Sequence, residues 1–389
     1  MLGFKPVSAA LPVLLIAVYG CAATLPPPPD PSALPSEAEL LSGEALFGER
    51  VLSDEQPLLN LREMDDAMRA FVSDAVPSHS NTSSRLERLL RHMNDTGLLD
   101  IDYEATHTGT ARDTFYARTG NCLAFTNLFV ALAREAGLRV SYQQVEVPPT
   151  WSADGSMMVL HQHVNVRVNV PDTSVRGRSD RVVDFNTPFF RGNYPQTPVT
   201  DEVIDALYYN NLAVDAMKDG EHRLAFARFL RAIEVAPDVS APWSNLSVLY
   251  RRHGMDTYAE AALHRALRVD RRDRVAMSNL ARIYDARGEQ ALAEAYRERL
   301  RNHQRRNPYF HYFLAETALR EGNTDAALAA VNRAIRMRDI EHKFYFLRAQ
   351  ILDSAGDREA ARFSLMRAEE HATLGAVRAE YRRKLETLD

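Results

Sequence analysis

The clearest hydrophobic pattern lies in the second half of the chain, where a helical period recurs every 34 residues. One glycine marks each repeat, at Gly220, Gly254, Gly288, Gly322 and Gly356. A small residue follows five places later, where one helix must approach its neighbour closely, at Ala225, Ala259, Ala293, Ala327 and Ala361. A large residue and a small one precede each glycine, as in Leu212-Ala213, although the fifth repeat has Arg348-Ala349. The pattern predicts pairs of helices stacked into a solenoid.

This spacing resembles the tetratricopeptide repeat (TPR), with five repeats over residues 206–372 and a capping helix over 373–389. The resemblance implies a concave surface that binds a protein or peptide. Asn211, Asn245 and Asn279 occupy the same position in three repeats, where their amides could bind an extended peptide. An asparagine there also fits a plain role in capping or solvating a helix, and the residues leave both interpretations open.

The first half begins with helical periodicity over residues 36–97. A further helical pattern begins at Cys122, and strand patterns follow it. Apolar positions after this cysteine fall on one helical face, at Phe125, Leu128, Phe129, Leu132 and Ala136. Gly137 supplies a stop signal. The pattern therefore places Cys122 at a helix N-terminus, where the dipole and unpaired N–H groups stabilise a thiolate.

Strand patterns follow this helix. The first covers residues 138–147, and the second, 161–170, alternates strictly between polar and valine positions. Val182 to Phe185 forms a third short strand. The chain order is thus cysteine at a helix start, histidine on a strand, and aspartate on the next strand.

Arg118-x-Gly120-x-Cys122, the strand starting at His163, and Val183-Asp184 together resemble the transglutaminase-like superfamily, which has a papain-like fold. The resemblance covers residues 103–190. It implies a triad in which Cys122 is the nucleophile, His163 the base and Asp184 the group that orients the imidazole. The backbone N–H of Cys122 is a candidate oxyanion donor, and Gln143 and Gln144 are candidates for the second.

Two alternatives compete at this site. His161 lies two residues before His163 on the same predicted strand face and could be the base instead. A metal interpretation would take His161, His163, Asp184 and Cys122 as ligands, but closely paired ligands are missing elsewhere in the sequence. We predict neither a metal nor a cofactor.

The N-terminus predicts export. An apolar stretch at residues 11–20 follows Lys5 and is too short to span a bilayer. Val18-Tyr19-Gly20-Cys21 resembles a bacterial lipobox, which implies a signal peptide over 1–20, a lipidated Cys21 and a proline-rich tether over 21–35. The chain has two cysteines, so lipidation would leave Cys122 without an intramolecular disulfide partner. The expected location is the cell envelope, anchored by lipid to the outer membrane and facing the periplasm.

Composition agrees with a globular chain of more than one domain. The 389 residues are 46% hydrophobic and 25% charged, and the net charge of −5 gives no signal for nucleic acid. The predicted fold is an α+β transglutaminase-like domain with a helical lead-in over 36–200, followed by the all-α repeats. We expect residues 36–205 to fold without those repeats.

Two functions follow from this organisation. In the first, the protein is a thiol peptidase or amidase, with acyl transfer to an amine as a variant, acting on a protein or peptide that the repeats recruit. In the second, it is an inactive repeat scaffold that assembles envelope proteins.

Overall fold

The computed structural model describes residues 34–77, 80–100, 102–104, 106–145, 151–154, 157–160, 163–171, 178–185, 196–372 and 375–388. Cys21, the predicted signal peptide, most of the tether, and His161 lie outside these ranges. Within them, no helix combines the length and the apolar character needed to cross a membrane.

The first half opens with helices, as the periodicity predicts. They are α1 (Glu37–Ser42), α2 (Glu44–Phe47), α3 (Asp66–Ala75), α4 (Thr82–Asp95), α5 (Ala111–Ala117) and α6 (Cys122–Glu135). Side chains cap several of them. The side chain of Asn81, for example, accepts a hydrogen bond from the N–H of Ser84 at the start of α4. Gly137 follows α6 with a φ of 71°, which few other residues adopt without strain.

The strands form one main sheet and two small pairs. They are β1 (Asp102–Tyr103), β2 (Thr119–Gly120), β3 (Val140–Val145), β4 (Trp151–Asp154), β5 (Met157–Leu160), β6 (His163–Pro171), β7 (Arg178–Val183) and β8 (Gln196–Val199). The main sheet has the antiparallel order β7-β6-β3-β8. The third predicted strand is therefore corrected at its end: β7 stops at Val183, and Asp184 lies just beyond it.

The sheet packs on α6. The alternate valines of β6, from Val164 to Val170, are buried in one apolar cluster with α6 residues such as Phe129 and Leu132. The predicted alternation therefore identifies the face of β6 that enters the core. The neighbouring polar positions His163 and Asn165 are also buried, at 2% and 1% exposed. A buried polar pair at the start of a core strand needs hydrogen-bond partners.

The second half is a helical solenoid. Its helices are α7 (Asp201–Lys218), α8 (His222–Val235), α9 (Ala241–Arg252), α10 (Asp256–Val269), α11 (Arg274–Ala286), α12 (Gln290–Arg305), α13 (Pro308–Arg320), α14 (Thr324–Met337), α15 (His342–Ser354), α16 (Arg358–His371) and α17 (Gly375–Leu388). The five repeat glycines have φ between 71° and 81°, and each follows the first helix of its repeat. The five alanines predicted to allow close helix approach are all 0% exposed.

The N-terminal segment packs on the repeats and not on the sheet. Leu40 and Val51 are buried in the apolar cluster of α7 to α12. The hydroxyl of Tyr250 in α9 donates to the carbonyl of Leu40 over 2.6 Å. Glu37 of α1 pairs with Arg265 of α10 at 3.0 Å. Residues 36–51 thus pack on the solenoid core, although the sequence pattern assigned them to the first domain.

The first repeat likewise belongs to the core of the first half. Ile204, Leu207, Tyr208 and Tyr209 of α7 are buried in the same cluster as α6 and β6. The division at residues 200 and 206 follows the repeat pattern, but the packing crosses it. The expectation that residues 36–205 fold alone does not agree with this shared core, because truncation there would remove most of α7.

Candidate functional site

Cys122 is the first residue of α6, as predicted, and it is half-buried. The turn before it is tight. Arg118 adopts the left-handed conformation with a φ of 56°, and β2 then pairs in parallel with β1. A Cβ atom on Gly120 would lie 2.9 Å from the Cβ of Ala124, so glycine allows the chain to enter α6 at this close distance.

Asn121 caps the helix on which Cys122 lies. Its side-chain oxygen accepts from the N–H groups of Leu123 and Ala124, both at 3.1 Å, and its carbonyl accepts from Phe125. Its own amide nitrogen donates to the hydroxyl of Thr108 over 2.6 Å, which fixes the cap in the core. None of these capping bonds uses the N–H of Cys122, so they leave the predicted oxyanion donor to a ligand.

The side chains of His163 and Asp184 lie within hydrogen-bond distance of each other. The Nε2 atom of His163 lies 2.8 Å from Asp184 Oδ1 and 2.9 Å from Oδ2. The imidazole is 2% exposed in its side chain and the carboxylate 21%. Because the carboxylate bonds Nε2, Nδ1 is the ring nitrogen that can exchange a proton with a nucleophile.

The electrostatics favour a charged imidazole. Burial alone would lower the pKa of His163, but hydrogen bonds with Asp184 and with Cys122 overcome it and raise the pKa from 6.5 to about 9. The attraction of both partners for the imidazolium acts in the same direction. At neutral pH this arrangement favours a charged imidazolium beside the Asp184 carboxylate.

Asn165 is a further member of this group, and sequence reasoning gave it no role. Its amide nitrogen donates to Asp184 Oδ2 over 3.2 Å from a position two residues after His163 on the same face of β6. The carboxylate therefore bonds two side chains of one strand. The predicted polar alternation placed Asn165 on the same face as His163, which was the available signal, but an asparagine on a strand has many ordinary roles.

Phe185 holds Asp184 against the helix that carries the cysteine. Its ring stacks on Phe125 of α6, with centroids 5.8 Å apart, and contacts Phe129 at 5.6 Å. The segment after β7 is thereby tied to the first turns of α6. One helix thus positions Cys122 directly and Asp184 through its neighbour.

Tyr103 lies beside the nucleophile and was also missed. It pairs with Gly120 between β1 and β2, two residues before Cys122. Burial and the nearby Cys122 raise the pKa of its phenol to about 12, so the hydroxyl remains a proton donor at neutral pH. A tyrosine in an exposed short strand has no recognisable sequence signal.

The two glutamines proposed as oxyanion donors differ in position. Gln143 lies opposite Asn165 in the β3–β6 register and is 5% exposed. Its side-chain oxygen has no hydrogen-bond partner among the residues that the structure describes. Gln144 lies opposite Val164 and is half-buried. Side chains that lie directly opposite share a sheet face, so Gln143 shares the face of Asn165 and His163.

The three predicted groove asparagines are not equivalent. Asn245 of α9 donates to the side chain of Asn210 over 2.9 Å and so links neighbouring first helices. Asn211 of α7 is half-buried. Asn279 of α11 is 5% exposed, and its amide nitrogen has no hydrogen-bond partner in the described part of the chain. Asn279 therefore presents a buried donor that a ligand could satisfy.

In the part of the chain that the structure describes, no group of three or more His, Cys, Asp or Glu side chains is arranged to hold a metal ion. His161, which the metal interpretation requires, lies outside that part.

Known proteins match the second half of the chain. Residues 342–370, which span α15 and most of α16, match the family model for the tetratricopeptide repeat. The described helices of the C-terminal region form a TPR-like helical solenoid. No curated protein matches the chain.

Similar solved structures are repeat proteins of low identity. YrrB, described as a TPR protein with an unusual peptide-binding site, is 18% identical, with 46% of this chain and 92% of YrrB covered and a TM-score of 0.24. PilF of Pseudomonas aeruginosa is 15% identical, with 48% and 92% covered and a TM-score of 0.25. MamA of Desulfovibrio magneticus RS-1 is 13% identical, with 44% and 96% covered and a TM-score of 0.24. TM-scores this low carry no argument about function.

Proposed function

We propose that this protein is a thiol-dependent acyl-transfer enzyme of the transglutaminase-like class, which hydrolyses an amide or peptide bond in a protein held by its repeats. The observation that carries the proposal is the buried His163 imidazole, bonded through Nε2 to both oxygens of Asp184. A charged imidazole next to a cysteine at a helix N-terminus is the arrangement that activates a thiol.

The chemistry begins with the Cys122 thiolate, which attacks the carbonyl carbon of the substrate amide. The C–N bond then breaks, the imidazolium of His163 gives its proton to the leaving amine, and a thioester remains on Cys122. Water attacks the thioester, and the now neutral His163 accepts a proton from that water. Release of the carboxylic acid restores the thiolate and the imidazolium.

The negative charge of the tetrahedral intermediate needs donors beside Cys122. The backbone N–H of Cys122 is a suitable donor, because the Asn121 side chain accepts from the N–H groups of Leu123 and Ala124 and not from that of Cys122. Donors fixed in this way act without reorganisation when the charge develops, and removal of a single one typically costs a hundredfold or more in rate.

The repeats would supply the substrate. A tetratricopeptide solenoid holds extended peptides or protein segments on its inner face. The unpartnered amide nitrogen of Asn279 supports peptide binding there, because a buried donor without a partner is costly unless a ligand accepts from it. We do not assign Asn245 this role, since its amide already bonds Asn210.

The deciding experiment measures alkylation of Cys122 by iodoacetamide between pH 5 and 9. A Cys21→Ser background makes Cys122 the single thiol, so the mass of the intact protein reports on it alone. We expect alkylation near pH 6.5 to exceed that of a model thiol about tenfold or more, because thiols of this kind ionise well below the ordinary value near 8.5. A rate equal to the model thiol, unchanged in His163→Ala, contradicts the proposal.

The substrate itself can be trapped on the cysteine. A thioester formed in envelope extract and identified by mass would name the acyl group, and Cys122→Ala should abolish the adduct. Addition of a primary amine separates hydrolysis from amine transfer, since transfer would place that amine on the released acyl group.

A second candidate function is a scaffold without catalysis. The tetratricopeptide match favours it, because such repeats bind partners without chemistry of their own. The two candidates differ at Cys122: a scaffold keeps its cellular function after Cys122→Ala, whereas the enzyme loses it while still binding its partner.

The lipid anchor is a separate part of the proposal. Lipidation at Cys21 would tether the protein to the outer membrane, facing the periplasm. Cys21→Ser should move the protein from the membrane fraction to the soluble periplasmic fraction. Unchanged fractionation would refute the anchor without affecting the thiol site.

A further inference from the structure

The fourth repeat packs beside the proposed catalytic histidine. Val145, the last residue of β3, lies directly opposite His163 in the antiparallel register of β3 and β6. Residues paired in this way have their Cα atoms about 4.5–5.5 Å apart and their side chains on one face of the sheet. The side chain of Val145 is therefore the cross-strand neighbour of the His163 imidazole.

Val145 also belongs to an apolar cluster outside the sheet. It is 5% exposed and belongs to the apolar cluster of the fourth and fifth repeats, which includes Tyr309 and Tyr312 of α13 and Phe344 of α15. The other members of this cluster all come from α13, α14 and α15. The neighbour of His163 is thus held by the solenoid.

A second contact links the same region to the third repeat. The backbone of strand β5 runs close to that of α11, the first helix of that repeat. β5 ends at Leu160, and β6 begins at His163. The repeats therefore approach two elements next to His163. One is Val145, its partner on the adjacent strand, and the other is β5, the strand that precedes β6 in the chain.

We infer that the first helices of the third and fourth repeats position the catalytic histidine, with Val145 and Tyr312 as the positioning residues. This inference rests on the proposed function. For catalysis, the Nε2 atom of the imidazole must stay hydrogen-bonded to Asp184 while the opposite edge of the ring faces Cys122. The position of the first residue of β6 determines whether the ring can make both contacts. Packing of α13 on Val145 fixes that strand end.

The consequence is that the repeats are part of the catalytic unit. A peptide bound on the inner face of the third and fourth repeats would lie near His163, because the first helices that contact the sheet also line the inner face of such a solenoid. A ligand that shifts α13 would change the activation of Cys122, so recruitment and catalysis would be coupled.

The test uses the full-length Cys21→Ser protein and the pH profile of Cys122 alkylation. Val145→Ala removes two methyl groups from the shared cluster, and Tyr312→Ala removes a ring from the other side. We expect both to raise the pH midpoint of alkylation by about one unit, which slows the reaction about tenfold at any pH well below both midpoints. Tyr312→Phe keeps the ring and should retain the rate of the parent protein.

Matched controls separate positioning from loss of stability. Val140→Ala is the same change at the other end of β3, where Val140 packs on the core of the first half. Tyr345→Ala removes a buried ring from the fifth repeat in a different cluster. Both should leave the pH midpoint unchanged. If Val145→Ala does not fold, Val145→Thr keeps the side-chain shape and tests the same contact with a polar group.

The outcomes distinguish the inference from the function on which it rests. Slow alkylation in the parent protein overturns the proposed function. Fast alkylation in the parent with an unchanged midpoint in Val145→Ala and Tyr312→Ala overturns the positioning role alone. A midpoint that shifts equally in Tyr345→Ala also overturns it, because general loosening of the repeats would then suffice.

Discussion

Asp184→Asn gives a quantitative test of the electrostatics of the site. The asparagine side chain has nearly the same shape and keeps an oxygen that can accept from His163 Nε2, but it removes the negative charge 2.8 Å away. Burial by itself lowers the pKa of His163. In the variant this effect is opposed only by the interaction with Cys122 and by a neutral asparagine, because the charge of Asp184 is gone. We expect the pKa of His163 in the variant to fall from about 9 towards or below its ordinary value of 6.5.

The size of the effect follows from proton linkage. In the parent protein the folded state binds the His163 proton more tightly than the unfolded state. The resulting stability is fully present below pH 6.5 and is lost as the pH rises through about 9. Each pKa unit corresponds to about 1.4 kcal/mol, so the shift from 6.5 to about 9 corresponds to roughly 3 kcal/mol.

The assay is urea unfolding of the parent and the variant between pH 6.5 and 9. The free energy of unfolding should fall by roughly 3 kcal/mol more in the parent than in Asp184→Asn over this range. Asp180→Asn is the matched control: the same substitution in β7, at a half-exposed carboxylate that pairs with Arg167 at 3.0 Å. Its pH dependence should follow the parent. Parallel curves for the parent and Asp184→Asn would refute the reasoning.

Three further predictions concern single contacts in the turn before Cys122 and in the repeats. Gly120→Ala should cost about 1–3 kcal/mol of stability and slow Cys122 alkylation, because its Cβ would lie 2.9 Å from that of Ala124. Tyr250→Phe should cost about 1–2 kcal/mol in urea unfolding and expose the N-terminal segment to protease, since it leaves the Leu40 carbonyl without its donor. Glu260→Gln should cost about 3 kcal/mol at pH 7. The pKa of Glu260 is about 2 because three side-chain hydrogen bonds outweigh burial, so the difference from the parent should shrink as the pH falls from 4.5 through about 2.

The parts of this fold that sequence predicts are those with a local physical cause. The repeat glycines recur because each turn needs a positive φ, and the 0%-exposed alanines recur because each helix pair needs a close approach. Cys122 is predictable at a helix start because Asn121 caps the helix and the apolar period begins immediately after it. These signals lie within a few residues of the feature that they specify.

Long-range packing explains what the sequence could not predict. An apolar period identifies the buried face of an element but not the element that covers it, so Leu40 and Val51 looked like members of the first domain although they pack on the repeats. Val145 shows the same limit: it lies in the predicted strand over residues 138–147, but that pattern does not reveal that the fourth and fifth repeats bury it. Asn165 was visible on the correct strand face, but its role depends on Asp184, which lies 19 residues away in the chain.

The same packing argues that this chain cannot be divided into an enzyme and an adaptor. A chain that ends at residue 205 loses Leu207, Tyr208 and Tyr209, which are buried with α6 and β6, and also loses the cluster that covers Val145. Full burial of a large apolar side chain contributes about 1.5–3 kcal/mol, and a domain has only about 5–15 kcal/mol of net stability. Loss of three such residues would remove most of that margin, so purified residues 36–205 should lack a cooperative unfolding transition. A sharp transition in that fragment would show that the first half carries its own core and that the contacts across residue 206 are dispensable.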